Sequence, residues 1–314
     1  MKIFNASATA LALPWPALVT AVEAIIHDSR AGLASAPARV GVPLGDDAVW
    51  LLMPAVSRAA DLAACKLITV HPGNPGRGLP TIQGDILVMR SSTGERLALL
   101  DGPAVTARRT AAVTALAIRQ VQQARAAPPP AEASCLIIGC GVQGRGHLHA
   151  LAALLPGMRF LLCSRTPASA QRLAAEAATV GIEARVVPDP DEEVARADIV
   201  VTCSDARQAC VRRLPRAGAI IAAVGSFTPA MSELAPEVMK AIGRNILLDS
   251  PDAGHEAGEL IINGVDPAGL PTLFDGGARA LPAVDRTVLF KSCGNALWDL
   301  AAAQAAIGGI AADP

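Results

Sequence analysis

The sequence predicts a mixed α/β chain in two parts. The first is α+β with mostly antiparallel strands, and in the second strands and helices alternate on a parallel sheet. Three observations carry the prediction. Up to residue 115, short strand-like runs are separated by turn residues. Later in the chain, short, wholly apolar runs alternate with helical stretches, the rhythm of βαβ units. Between them lies Pro128-Pro129-Pro130-Ala131-Glu132, a seam that no helix or central strand crosses.

The elements follow in order. The apolar run Thr9-Ala10-Leu11-Ala12-Leu13 is broken by Pro14 and Pro16, and an amphipathic run over 17–26 follows. A strand, a proline turn and a helix are expected there rather than a secretory leader, whose apolar core would be unbroken. Strands are expected over 49–54, 64–70, 84–89 and 96–100, with Ser92-Thr93-Gly94-Glu95 as a hairpin turn. An alanine-rich stretch with leucine and valine at helical spacing predicts one long helix over 110–126. Beyond the seam, 133–138 suits a buried parallel strand. Helices are then expected over 148–155 and 168–180, and strands over 158–163, 184–187, 198–203 and 219–224.

Composition narrows the function classes. Hydrophobic residues make up 52% and charged residues 18%, enough core material to exclude disorder, although alanine supplies much of the apolar share. Aromatics are 3% with no tyrosine, and the formal net charge is −1. A base-stacking platform and an electrostatic footprint for a polyanion are both missing, so no nucleic-acid partner is expected. No apolar stretch is long enough to span a membrane. The seven cysteines are odd in number, lie in apolar segments and form no CxxC pair. They read as reduced thiols of a cytoplasmic protein, with no metal expected. His147 and His149, two apart on a helix, point in different directions and make no ligand pair.

One motif carries chemistry. Gly139-Cys140-Gly141-Val142-Gln143-Gly144 matches G-x-G-x-x-G, directly after an apolar strand and opening a helix. That context is the Rossmann dinucleotide-binding fingerprint: the glycines permit a tight turn and close approach of the pyrophosphate to the helix N-terminus. One strand later an NAD-specific site would place an acidic residue. This chain has Cys163-Ser164-Arg165-Thr166 and no acid before Glu176. A guanidinium flanked by two hydroxyls suits a 2′-phosphate, so NADPH is favoured over NADH.

Three further stretches join this loop in one pattern. They are Lys66-Leu67-Ile68-Thr69-Val70-His71-Pro72-Gly73-Asn74 with Gly78-Leu79-Pro80-Thr81-Ile82-Gln83-Gly84, then Leu99-Leu100-Asp101-Gly102 running into Thr106-Ala107-Arg108-Arg109-Thr110-Ala111-Ala112, and finally Leu289-Phe290-Lys291-Ser292-Cys293-Gly294-Asn295-Ala296-Leu297-Trp298-Asp299-Leu300. In this order they resemble the ornithine cyclodeaminase/μ-crystallin family. The resemblance implies a substrate-binding and dimerisation domain of residues 1–115 and 292–314, a Rossmann domain of 116–291, and a homodimer. It also implies that Arg39, Arg109 and Lys66 hold a substrate carboxylate, that Thr81 adds a hydroxyl, and that Ser204, Val224, Gly225 and Ser226 lie along the cofactor. Arg39 is nominated by the resemblance alone. His71 and Asn74 read as turn residues, and Asp101 and Asp299 as turn and helix surface.

A departure from the family pattern selects the branch. The family's cyclodeaminases carry an aspartate where Thr228 stands here, by alignment on Pro229 and Glu233, and a neutral hydroxyl gives an ornithine ammonium no anionic partner. The expected reaction is therefore NADPH-dependent reduction of a cyclic ketimine, Δ1-pyrroline-2-carboxylate or Δ1-piperideine-2-carboxylate, to L-proline or L-pipecolate. Lys66, Arg109 and Thr228 are the expected catalytic residues. The alternatives are an alanine-dehydrogenase-like amino-acid dehydrogenase, an ornithine cyclodeaminase, and a μ-crystallin-like protein that binds NADPH and small ligands without turnover.

Overall fold

A computed structural model of the chain describes residues 1–45, 47–125, 133–205, 208–275 and 281–311, with side chains described to residue 308. The proline seam at 128–132 and the expected end of the long helix at 126 lie outside the described residues. The chain divides into two compact units, Met1–Arg109 with Asn295–Pro314, and Thr110–Gly294. Among the described residues no helix is long and apolar enough to cross a membrane.

The first unit opens with β1 (Lys2–Ile3), α1 (Ala6–Leu11) and α2 (Trp15–Arg30). Within the run 9–13, where the sequence suggests a strand, the chain is instead helical to Leu11. Asn5 caps the helix by accepting from Ala8 N, and alanine favours it. Pro14 and Pro16 then start α2, which buries Leu18, Val22, Ile25 and Ile26 at helical spacing. The strands β2 (Ala34–Ser35), β3 (Val40–Pro43), β4 (Val49–Ser57), β5 (Leu62–Val70), β6 (Ile82–Arg90) and β7 (Arg96–Asp101) follow. They form one sheet in the order β1-β7-β6-β5-β4-β2, with β3 also on β4, and every pair but β1–β7 is antiparallel.

The next helix, α3 (Gly102–Gln123), starts eight residues before the expected position, and the boundary between the units falls within it. Its early start has a local cause: Asp101 Oδ1 accepts from Ala104 N at 2.7 Å, so Asp101 is a helix cap.

The second unit holds β8 (Ser134–Ile138), α4 (Val142–Leu154), β9 (Arg159–Cys163), α5 (Pro167–Ala178), β10 (Ala184–Val186), α6 (Pro190–Val194), β11 (Ile199–Thr202), β12 (Ile220–Ala223), α7 (Pro236–Ile242), β13 (Ile246–Leu248), α8 (Ala253–Glu256), α9 (Gly258–Ile262) and β14 (Val288–Lys291). These strands form a parallel sheet in the order β10-β9-β8-β11-β12-β14-β13. Strand order reverses beside β8, which makes the carboxyl ends of β8 and β11 the switch point where ligands bind in such sheets. The central strands are buried almost end to end, as a sheet with helices on both faces requires.

The last helix, α10 (Ala296–Ala311), returns to the first unit and packs with α2 against β4 and β5. One face of the antiparallel sheet is thereby buried, including the cross-strand row Met53, Lys66, Ile86 and Leu100.

Candidate active site

Two clusters of buried polar groups stand out, one in each unit. In the first unit, Lys66 lies mid-strand on the buried face of β5, 2% exposed. Its Nζ meets Asp299 Oδ2 at 2.8 Å, and Asp299 Oδ1 accepts from Arg109 Nε at 3.2 Å. Asp299, expected from sequence on the helix surface, is instead 1% exposed and is the shared counter-ion of both cations. The sequence does carry a signal for this: Leu297, Trp298, Leu300, Ala301 and Ala302 leave α10 without a polar face for Asp299 to occupy. Burial pulls the Lys66 ammonium down from the ordinary lysine value to about 8. Asp299 opposes that fall, while the like charges of Arg109 and Arg39 add to it.

Arg39, itself half-buried between β2 and β3, is thus close enough to act on Lys66. Thr81 is half-buried, and its carbonyl accepts from His71 N, closing the turn between β5 and β6. Asn74, itself buried, fastens the same turn by donating to Pro80 O at 2.9 Å. His71 and Asn74 are turn residues, as the sequence indicates.

In the second unit, β8 runs into Gly139, whose φ of +101° only glycine adopts readily. A Cβ there would sit 2.5 Å from Cys203 O, and one on Gly144 would sit 1.9 Å from Gly139 O. The outer glycines of the fingerprint are therefore needed for packing. Gly141 differs: nothing lies within 4 Å of where its Cβ would be. It is the N-cap of α4, makes no side-chain cap, and is followed by exposed Val142. A helix N-terminus whose N-cap supplies no side-chain cap, with open space above its middle glycine, fits a pyrophosphate. Behind the loop, the Gln143 carbonyl is 2.8 Å from Nδ1 of buried His147, whose Nε2 meets Thr114 Oγ1 at 3.0 Å. Burial holds this imidazole down at about 4, so it is neutral and packs the first turn of α4.

After β9, Ser164 is half-buried while Arg165 and Thr166 are exposed. Thr166 is the N-cap of α5, yet its hydroxyl does not cap the helix. At the ends of β11 and β12, Ser204, Gly225 and Ser226 are gathered on one carboxylate, that of Glu233, a residue that sequence patterning marks only as an alignment point for Thr228. Val224 is buried beside them and Thr228 is half-buried in the same loop. Thr228 and Lys66 belong to different units.

The cysteines along this sheet are unpaired thiols, and burial raises Cys140 to about 11 and Cys210 to about 12.

A parallel sheet with this turn at its switch point defines an α/β fold of the dinucleotide-binding Rossmann type, joined to an α+β unit. The chain belongs to the ornithine cyclodeaminase/mu-crystallin family, whose model matches residues 5–308. It is 40% identical to a Delta(1)-pyrroline-2-carboxylate/Delta(1)-piperideine-2-carboxylate reductase of Azospirillum brasilense, over 99% of this chain and 97% of that protein. To the ketimine reductase mu-crystallin of Mus musculus it is 33% identical, over 85% and 83%. Among solved structures, Thermococcus litoralis Delta(1)-pyrroline-2-carboxylate reductase in complex with NADH and L-proline superposes with a TM-score of 0.87 at 26% identity, covering 99% of this chain and 98% of that one.

Proposed function

We propose that this chain is an oxidoreductase that reduces a cyclic ketimine, Δ1-pyrroline-2-carboxylate or Δ1-piperideine-2-carboxylate, to L-proline or L-pipecolate with NADPH. The observation that carries the reading is the buried Lys66–Asp299–Arg109 array in a chain 40% identical to a reductase of those imines. The nicotinamide cofactor supplies the hydride when bound.

The chain's own groups do the rest. The terminal nitrogens of Arg109, with Arg39, grip the substrate carboxylate and fix which carbon is presented. Asp299, held at Arg109 Nε, orients that guanidinium. Lys66, poised near neutrality at about 8, holds a proton at Nζ that it donates to the ring nitrogen. Thr81 and Thr228 add hydroxyls that orient the ring or a water. Gly139, Gly141, Val142, Gln143 and Gly144 cradle the pyrophosphate, with Ser204, Val224, Gly225 and Ser226 along the nicotinamide half.

The preference for NADPH rests on Arg165 with Ser164 and Thr166, where the exposed guanidinium and a hydroxyl that leaves the α5 N-cap unfilled suit a 2′-phosphate. The Thermococcus relative holds NADH, so cofactor choice is tested separately. Arg165→Ala should weaken NADPH about tenfold or more and leave NADH within about twofold in paired titrations; equal affinities in the unaltered protein would sink the preference.

A homodimer is also proposed. The sheet face opposite α10 carries Leu52, Pro54 and Val56 on β4, Cys65 and Leu67 on β5, and Leu87 and Met89 on β6, all only half-buried, with Trp50 at the rim 39% exposed. Such a contiguous apolar face suits a second copy. The unpaired thiols fit a reducing, cytoplasmic setting.

The experiment mixes purified protein with NADPH and Δ1-pyrroline-2-carboxylate and follows nicotinamide oxidation, with the piperideine analogue, pyruvate plus ammonia, and ornithine with NAD as comparisons. Turnover of an imine with loss of about 100-fold or more in kcat/KM for Arg109→Ala supports the reading. Turnover confined to pyruvate or ornithine overturns it.

A further inference from the structure

Glu233 has no solvent exposure, yet its carboxylate accepts five hydrogen bonds. Oε1 accepts from the Ser204 amide and hydroxyl, both at 2.7 Å. Oε2 accepts from the Thr202 hydroxyl at 2.7 Å, the Gly225 amide at 2.8 Å and the Ser226 amide at 3.3 Å. Each oxygen is therefore fastened to main-chain N–H groups of a different loop, one leaving β11 and one leaving β12. The two loops touch as well, because a Cβ on Gly225 would lie 2.2 Å from Ser204 O.

A second buried pair holds Glu233 in turn. Its amide donates to Glu259 Oε1 at 2.9 Å, the other oxygen of Glu259 meets Lys291 Nζ at 3.0 Å, and both Glu259 and Lys291 are fully buried. The Ser226 hydroxyl donates to Glu259 Oε1. Lys291 Nζ donates to Ser226 O and Oγ, each at 2.5 Å.

Buried ionic groups often give a fold no more stability than apolar ones of the same volume, so a cluster this costly is best explained by the geometry it fixes. The geometry here is the carboxyl end of β11 and β12. In a doubly wound sheet that half of the switch point takes the second mononucleotide of a dinucleotide, opposite the half served by the first and second strands.

We infer that Glu233 is the positioning residue of the nicotinamide half-site, clamping the loops after β11 and β12 into one preformed floor, with Glu259 and Lys291 locking the clamp. The inference rests on the proposed nicotinamide cofactor. It adds that affinity for the nicotinamide end, and not for the adenosine end, is set by this carboxylate. Glutamine cannot replace it: whichever way its amide turns, an NH2 faces the fixed N–H groups of one of the loops.

The test titrates the full-length protein with NADPH and with 2′-phospho-AMP, which is its adenosine end without the nicotinamide mononucleotide, by calorimetry. NADH and AMP form the same pair without the 2′-phosphate. Glu233→Gln should weaken the dinucleotide about tenfold or more while leaving the adenosine fragment within about twofold. Thr202→Val, which removes one donor and keeps the shape, should show the same asymmetry at smaller size and decides the matter if Glu233→Gln does not fold. Equal weakening of both ligands would mean Glu233 only holds the fold and would overturn the inference, as would no change in either. Failure of the unaltered protein to bind any dinucleotide is a different result, since it removes the cofactor reading itself.

Discussion

The two units bury charge in opposite ways. In the first, two buried cations, Lys66 and Arg109, share one carboxylate, with Arg39 adding positive charge nearby. In the second, the buried carboxylate of Glu259 takes the one ammonium, Lys291, while that of Glu233 is met by main-chain amides and hydroxyls alone. A cationic cluster with one carboxylate between its members has charge left for an anion. A carboxylate with five donors has nothing left to offer a ligand and serves as scaffolding. On the proposed reading, comparable burial therefore serves binding in one place and support in the other.

The comparison breaks most visibly at Asp299. Asp299→Ala leaves Lys66 and Arg109 buried without this carboxylate and should cost about 3–5 kcal/mol of stability by urea unfolding. A loss under about 1 kcal/mol would show that the cations are solvated and the array is not a closed cluster.

The glycine loop offers a sharper contrast within one motif. Gly144→Ala drives a Cβ into Gly139 O and should destabilise the second unit by about 1–3 kcal/mol. Gly141→Ala meets no protein atom, so unfolding should change by less than about 0.5 kcal/mol while dinucleotide affinity falls. Equal thermal shifts for the two variants would argue that Gly141 is also a packing position.

The smallest effect is a displacement of a pH profile. If Lys66 donates the proton, imine reduction should fall as pH rises through about 8. Asp299→Asn removes the partner that holds the ammonium up, so the alkaline limb moves to lower pH; Arg39→Ala removes a like charge and moves it higher. Stability runs the other way for this group. Its folded value of about 8 lies below the ordinary 10.5, so the unfolded chain binds more protons between them. Lys66's contribution to stability therefore rises with pH across that window, and it is least favourable below about 8. A limb unmoved by either variant would take Lys66 out of the proton-transfer role.

Much of the fold and part of the site are legible in the amino-acid sequence. The glycine loop, its preceding strand and the helix it opens are contiguous, so local chemistry suffices to recognise them. The strands of the second unit are legible for the same reason, since burial on both faces writes continuous apolar runs. The early start of α3 is harder to see, because aspartate before glycine suits a turn as well as a cap, and here the Asp101 side chain caps the helix. The run 9–13 is ambiguous because a short apolar stretch fits strand or helix equally, and the Asn5 cap decides it.

The sequence by itself determined the α/β class, the dinucleotide fingerprint, the family pattern and the cationic residues that the pattern assigns to a carboxylate. Only the tertiary structure decided what balances them. Asp299 is 190 residues from Arg109 in the chain, and Lys291 is 65 from Ser226. Such partners are set by which face of one element packs on another, and no local spacing encodes that choice. The sequence can mark a charged residue stranded in an apolar element, as Asp299 is on α10 and Lys291 on β14, because desolvation obliges each to find a partner. Which partner it finds depends on packing between elements far apart in the chain.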